Sequence, residues 1–135
     1  DYTDVALGTD ATHNVILSYD TIVPKNAVVV KCEFTVTAAW DSASNNVALN
    51  FGLIRASDYE IIDADGLYDT IAKTALDTAG AVLTVLPADS LPAATTWVGA
   101  ELGIARASNQ FVSAFWENNA PTQGAGILSI YYRGA

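Results

Sequence analysis

The chain has 135 residues and a formal net charge of −9, from 15 acidic and 6 basic residues. This length fits one domain with a substantial core, and the single cysteine, Cys32, cannot form an internal disulfide. The six basic residues are scattered along the chain, which excludes a basic stripe and argues against nucleic acid or an anionic membrane as a partner.

The first residues carry little periodic pattern. Residues 1–14 are predicted to form an extended arm that is too apolar, at Val5 and Leu7, for a free tail. Residues 15–17 are a plausible strand, so the chain divides into an arm and first strand, 1–19, and a β domain, 20–135. A turn is predicted at residues 23–26, because Pro24 fixes one φ angle and Asn26 tolerates the left-handed region.

The strongest signal is near-strict alternation over residues 28–40, which is the period of a strand with one buried and one solvated face. The predicted inward face consists of Val28, Val30, Cys32, Phe34, Val36, Ala38 and Trp40. This strand is expected to be central, with Cys32, Phe34 and Val36 almost fully buried. A polar loop at 41–46 leads to a second amphipathic strand at 47–53, long enough to pair with the first as a hairpin.

Residues 56–79 interrupt the strand pattern. A turn is predicted at 63–66 and one short helix after it, carrying Leu67, Ile71 and Leu76 and ending before Gly80. Further strands are predicted at 81–86, 96–105, 110–117 and 126–133. Seven or eight short strands at this spacing predict an all-β, antiparallel, jelly-roll-like sandwich with one short helix.

No set of residues points to catalysis, a metal or a cofactor. His13 is the single histidine and lies in the weakly patterned N-terminal segment, which favours a solvated loop histidine over a member of a catalytic triad. A zinc site cannot be assembled from one histidine and one cysteine. Asp63, Asp65 and Asp69 resemble the start of a calcium loop, but the glycine comes too early for an EF-hand. A carboxylate pair for glycoside hydrolysis needs a separation that sequence cannot supply. Its candidates are Glu33, Glu60, Glu101 and Glu117. A hydrolase is the least favoured of three functional hypotheses.

Charge and aromatic placement favour an interaction protein. Charged residues make up 16% of the chain, against about 25% in an ordinary domain. Either partners cover much of the surface or small polar residues replace the missing charges. Adjacent aromatics in a strand point to opposite faces, so at least one ring of Phe115–Trp116 and of Tyr131–Tyr132 is expected to face outward or into a partner. The candidate interface residues are Val5, Leu7, Trp116 and Tyr132. Exposed rings could instead stack on sugars.

Three stretches together resemble a family. They are the turn and long strand from Val23 to Asp41, residues 49–53 with Ser57-Asp58-Tyr59, and the closing segment 122–132. This layout, over roughly residues 20–133, resembles the small β-sandwich proteins of tailed bacteriophages that decorate or cement capsids or form head-fibre bases.

The resemblance implies a non-enzymatic virion protein on the outer capsid surface, without catalytic residues or cofactor. Its expected partners are the major capsid protein and other copies of itself, with a trimer favoured. The acidic charge suits a position outside the shell, away from packaged genome. The alternative is a β-sandwich module of a phage fibre or surface protein that binds carbohydrate or a receptor.

Overall fold

The structure is a computed structural model, and it describes residues 14–16, 22–43, 45–88, 96–117 and 121–134. These residues form eight strands and one short helix. The strands are β1 Asn14–Ile16, β2 Ile22–Val23, β3 Val28–Ser42, β4 Ala48–Arg55, β5 Ile61–Ala72, β6 Val82–Val85, β7 Gln110–Glu117 and β8 Pro121–Arg133, and the helix is α1 Lys73–Leu76. Among the described residues, no helix has the length and hydropathy needed to span a bilayer.

The strands form two antiparallel sheets that pack together. Sheet A has the order β1-β7-β4-β5, with β2 pairing the same strand, β7, as β1 does, and sheet B has the order β6-β3-β8. From β2 to β8, each strand lies in the opposite sheet from the strand before it, with one exception: β4 and β5 both lie in sheet A. The predicted all-β, jelly-roll-like sandwich with one short helix is confirmed at this level.

Strand β3 is the central strand of sheet B, as its alternation predicts. Cys32, Phe34 and Val36 are buried in the main core, which confirms the expected inward face over this part of the strand. The register shifts between Val29 and Lys31, where β3 carries one residue more than β8. A bulge of this kind inverts the side-chain phase, so Val29 is buried whereas Val28 and Val30, which were predicted to point inward, are only half-buried.

Strands β3 and β4 do not form the predicted hairpin, because they belong to different sheets. Strand β4 pairs with β7 on one side and β5 on the other. The long polar turn therefore carries the chain across the sandwich instead of back along the same sheet, and the apolar faces of both strands meet in one core.

Half of the interrupted segment, residues 56–79, is strand. Residues 61–72 form β5, and the helix is limited to α1, so the predicted turn at 63–66 and most of the predicted helix are wrong. Leu53 lies opposite Asp63 and Phe51 lies opposite Tyr68, so residues 64–67 all lie opposite Gly52. This wide bulge passes directly over Gly52, where an added Cβ would lie 2.1 Å from the Asp63 carbonyl oxygen. Leu67 and Ile71, whose spacing in the sequence resembles that of a helix, therefore lie in β5, and only Leu76 lies in the helix.

The predicted strand at 96–105 is a loop held by isolated bridges, at Val98 to Tyr68 and at Ala105 to Val28. Its backbone covers the outer edge of β5, with the amide of Glu101 donating to the Gly66 carbonyl at 2.9 Å and that of Asp69 donating to the Trp97 carbonyl at 2.9 Å. This loop therefore protects one edge of sheet A without forming a full strand.

Candidate interaction surface

The outer face of sheet B carries aligned rows of side chains that the other sheet does not cover. Thr35 of β3 lies opposite Val82 of β6 on one side and Ile127 of β8 on the other, which gives an apolar row across all three strands. Val82 is 54% exposed and Ile127 is 62% exposed. The next row consists of Thr84, Glu33 and Ser129, and the third pairs Lys31 with Tyr131. We call these eight residues the sheet B face.

The charges on the sheet B face neutralise each other. The Lys31 Nζ lies 2.8 Å from a Glu33 carboxylate oxygen and 4.6 Å from the centre of the Tyr131 ring. The hydrogen bond to Glu33 is the main reason that the pKa of Lys31 is raised above its ordinary value. A face with one internal ion pair and two large exposed apolar side chains suits contact with another protein surface better than contact with a strongly charged ligand.

Strand β8 forms one edge of sheet B. It pairs with β3 over most of its length, and in the part of the chain that the structure describes no other strand pairs with residues 127–133. Over residues 126–131 the register is regular. Leu128 and Ile130 point toward the core and are only partly buried, because they lie at this edge.

The sequence-predicted interface residues have three different outcomes. Tyr132 is 46% exposed and Tyr131 is 45% exposed, so both rings are accessible at the end of β8. Trp116 is only 5% exposed, and so is Phe115, which means that this pair does not send a ring outward as expected. Val5 and Leu7 lie outside the described residues.

Both faces of β7 are covered, which explains the burial of Trp116 and Phe115. Trp116 belongs to the main core between the sheets, whereas Phe115 packs in a second cluster with Ile54 and Phe111 on the opposite face of sheet A. Ala64, from the bulge of β5, packs against that second cluster. The prediction assumed that one face of β7 is exposed to solvent. The sequence of β7 does not show that the bulge of β5 covers that face.

The carboxylates considered for catalysis are dispersed. Glu33 pairs with Lys31 on sheet B, Glu60 pairs with Arg55 beside the β4–β5 turn, and Glu101 pairs with Arg106 in the loop before β7. Among the described residues, no three potential metal ligands lie together. His13 lies outside the described residues. Burial raises the pKa of the Cys32 thiol to about 12, which keeps it protonated and a poor nucleophile.

Asp63 lies at the start of the β5 bulge. Asp63 accepts a hydrogen bond from the Asp65 amide at 3.3 Å. Burial is the main cause that raises the pKa of Asp63 to about 6, with smaller contributions from Asp65 and Glu101. The neighbouring acidic groups all disfavour a second negative charge at this point.

Sequence reasoning missed Arg106, which is the most connected polar residue of this region. Its guanidinium is almost fully buried and donates to the Glu101 carboxylate at 2.6 Å and to the Ile104 carbonyl at 3.0 Å and 3.1 Å. It also donates to the Glu101 carbonyl and to the Gln110 side chain. An arginine in a polar linker gives no periodic signal, so its structural role depends on loop geometry that the sequence does not reveal.

No family model, curated protein or solved structure matches this chain.

Proposed function

We propose that this chain is a non-enzymatic structural protein that decorates or cements the outer surface of a tailed-phage capsid. In this proposal it binds the major capsid protein and other copies of itself, and neither nucleic acid nor membrane. The uncovered sheet B face, with its row of Val82, Thr35 and Ile127, is the observation that carries the proposal. The resemblance in layout to phage decoration proteins supplies the kind of partner.

The charge distribution supports this assignment. A net charge of −9 disfavours contact with packaged DNA, whose backbone is also negative. The sheet B face is electrically balanced because Lys31 and Glu33 pair with each other. A balanced, partly apolar face on an acidic protein can bind a capsid surface while the remaining surface stays in solvent.

Binding to shells tests the proposal. The assay uses heads of the phage whose genome encodes this chain, purified without the protein, and measures bound protein after sedimentation. Val82→Glu places an uncompensated charge in the apolar row, and we expect it to weaken binding by tenfold or more, about 1.4 kcal/mol. Ile104→Glu is the matched control, because Ile104 is similarly exposed but lies in the loop before β7.

Circular dichroism melts should show that both variants remain folded. The proposal would be overturned if the wild-type protein did not bind the heads, or if Val82→Glu bound as well as Ile104→Glu did.

A binding module is the alternative, and the exposed rings of Tyr131 and Tyr132 are the observation in its favour. Aromatic faces of this kind can stack on sugar rings. A glycan array separates the two functions. Reproducible binding of one sugar class that is lost in Tyr131→Ala would support the module, whereas a decoration protein should bind no sugar.

A further inference from the structure

Within the part of the chain that the structure describes, residues 126–131 of strand β8 lack the usual protection of an exposed sheet edge. Natural edge strands are kept from pairing with other chains by short length, charged residues, proline or bulges. The 13 residues of β8 contain one charged residue, Arg133 at the end, and one proline, Pro121 at the start. The register is regular from Gly126 to Tyr131. We propose that β8 pairs with β8 of a second copy, antiparallel about a two-fold axis, so that the two copies of sheet B become one six-stranded sheet.

The side-chain pattern of β8 selects the register of this contact. Residues that lie directly opposite each other in an antiparallel pair share a face of the sheet. Ile127, Ser129 and Tyr131 belong to the sheet B face, and Leu128 and Ile130 point toward the core. A two-fold axis at any residue of β8 places each face opposite the same face, and an axis at Ser129 also places large apolar residues opposite each other.

In this register apolar side chains meet apolar side chains on both faces. Ile127 lies opposite Tyr131 of the second copy on the outer face, and Leu128 lies opposite Ile130 of the second copy on the core face. The contact would complete the burial of two side chains that pack only partly against the core, and would cover two of the most exposed large residues. Aromatic–aliphatic cross-strand pairs of this kind stabilise a sheet beyond the main-chain hydrogen bonds.

Between Ile127 and Tyr131 the contact contains no charged side chain, although each copy carries a net charge of −9. Like charges on the two copies repel each other at long range, and salt screens that repulsion. The association is therefore expected to strengthen as ionic strength rises. A contact held by ion pairs would weaken instead, and this result would overturn the proposed register.

The two-fold contact differs from the trimer that the family resemblance favours, and it does not depend on binding to a shell. It forms between copies of the chain in dilute buffer. Failure of the shell assay would leave it intact, and failure of the dimer would leave shell binding intact.

The mass of the protein in solution is the first test. Sedimentation equilibrium over about a hundredfold range of concentration should show a rise from the 14.2 kDa monomer to twice that mass, as mass action requires. Ile127→Glu should weaken the association about 100-fold or more, because each dimer would lose two apolar cross-strand contacts and gain two negative charges between acidic copies. Val82→Glu is the matched control, since Val82 lies in the same row at the opposite edge of sheet B. It should dimerise like the wild type.

Cross-linking tests the register separately. The proposed axis brings the two copies of Ser129 together, so Ser129→Cys should be linked into dimers by mild oxidation or by a short bismaleimide. Thr84→Cys lies in the same row on β6, far from the proposed axis, and should not be linked covalently under the same treatment. The wild type provides a further control, because its single thiol, Cys32, is buried in the core.

The proposal would be wrong if the mass stayed at that of the monomer or reached three times that value. Equal cross-linking of Ser129→Cys and Thr84→Cys would also overturn it. Dimers that form normally but resist Ser129→Cys cross-linking by both reagents would reject this register.

Discussion

Phe34 lies at the centre of the aromatic packing between the sheets. Its ring centre is 4.9 Å from that of Phe51 and 6.2 Å from that of Trp40. Gly126 of β8 leaves the room that the ring needs, because an added Cβ there would lie 2.4 Å from the Phe34 ring. The large side chain of Phe34 on β3 thus packs over a glycine, Gly126, on the neighbouring strand β8.

Removal of the Phe34 ring should therefore be costly. Phe34→Ala is expected to lower the free energy of unfolding by about 3–5 kcal/mol, from lost transfer energy and the cavity left behind. Urea unfolding measures the change. Phe34→Leu is the control that should recover much of the loss. A loss below about 1 kcal/mol for Phe34→Ala would mean that the cavity collapses or that the inward face is misassigned.

Arg106 is a second single residue that stabilises the fold, through hydrogen bonds and an ion pair. Arg106→Met should destabilise the protein by about 3–5 kcal/mol, because it leaves the Glu101 carboxylate and buried carbonyl groups without their donor. The matched control is Arg55→Met, which breaks exposed ion pairs to Asp58 and Glu60 and should destabilise the protein far less. Equal effects in urea unfolding would show that the buried guanidinium has no special role. Adding Glu101→Gln to Arg106→Met should recover part of the loss.

At the scale of elements, the β5 bulge is the main irregularity of sheet A. Residues 64–67 pass over Gly52, and the Gly66 backbone lies so close to Gly99 that an added Cβ at Gly99 would be 2.1 Å from it. Backbone therefore packs directly on backbone at both glycines. Asp63 lies at the start of this bulge, beside the side chain of Glu101.

The raised pKa of Asp63 makes the free energy of unfolding depend on pH. Because the folded protein raises this pKa to about 6 from the ordinary 3.8, Asp63 favours folding when protonated, and that contribution is lost as the pH rises through 6. Asp63→Asn should therefore raise stability relative to the wild type at about pH 8 and lose this advantage at about pH 4. Urea midpoints at both pH values measure the difference. Asp77→Asn, an exposed carboxylate after α1, should show no such gain at high pH. A gain for Asp63→Asn that is the same at both pH values would contradict the assignment.

The elements differ in how far the sequence predicts them. Strand β7 is predicted with its observed bounds, and the core face of β3 is predicted correctly from Cys32 to Val36, because alternation is a local signal. Strand β5 is missed because its bulge is imposed by contacts with β4 and the later loop. The two faces of β7 are also set by distant segments, so the burial of Trp116 follows from packing and not from its own neighbours.

At the scale of the whole molecule, the antiparallel sandwich is predicted from sequence, whereas the candidate interaction surface is predicted only in part. Tyr132 is exposed as expected, yet the apolar row of the sheet B face joins Val82, Thr35 and Ile127 from three strands far apart in sequence. Only strand register brings these residues together. A surface of this kind cannot be recognised until the order and alignment of the strands are known.

The pairing of β3 with β8 also has a consequence for biosynthesis. Val28 lies opposite Arg133, so the centre of sheet B cannot be completed until almost the whole segment between them has left the ribosome. Contacts of such long sequence separation are slow to form, and an incomplete sheet exposes strand edges that aggregate. During translation the nascent chain must therefore wait with β3 lacking one of its two neighbouring strands.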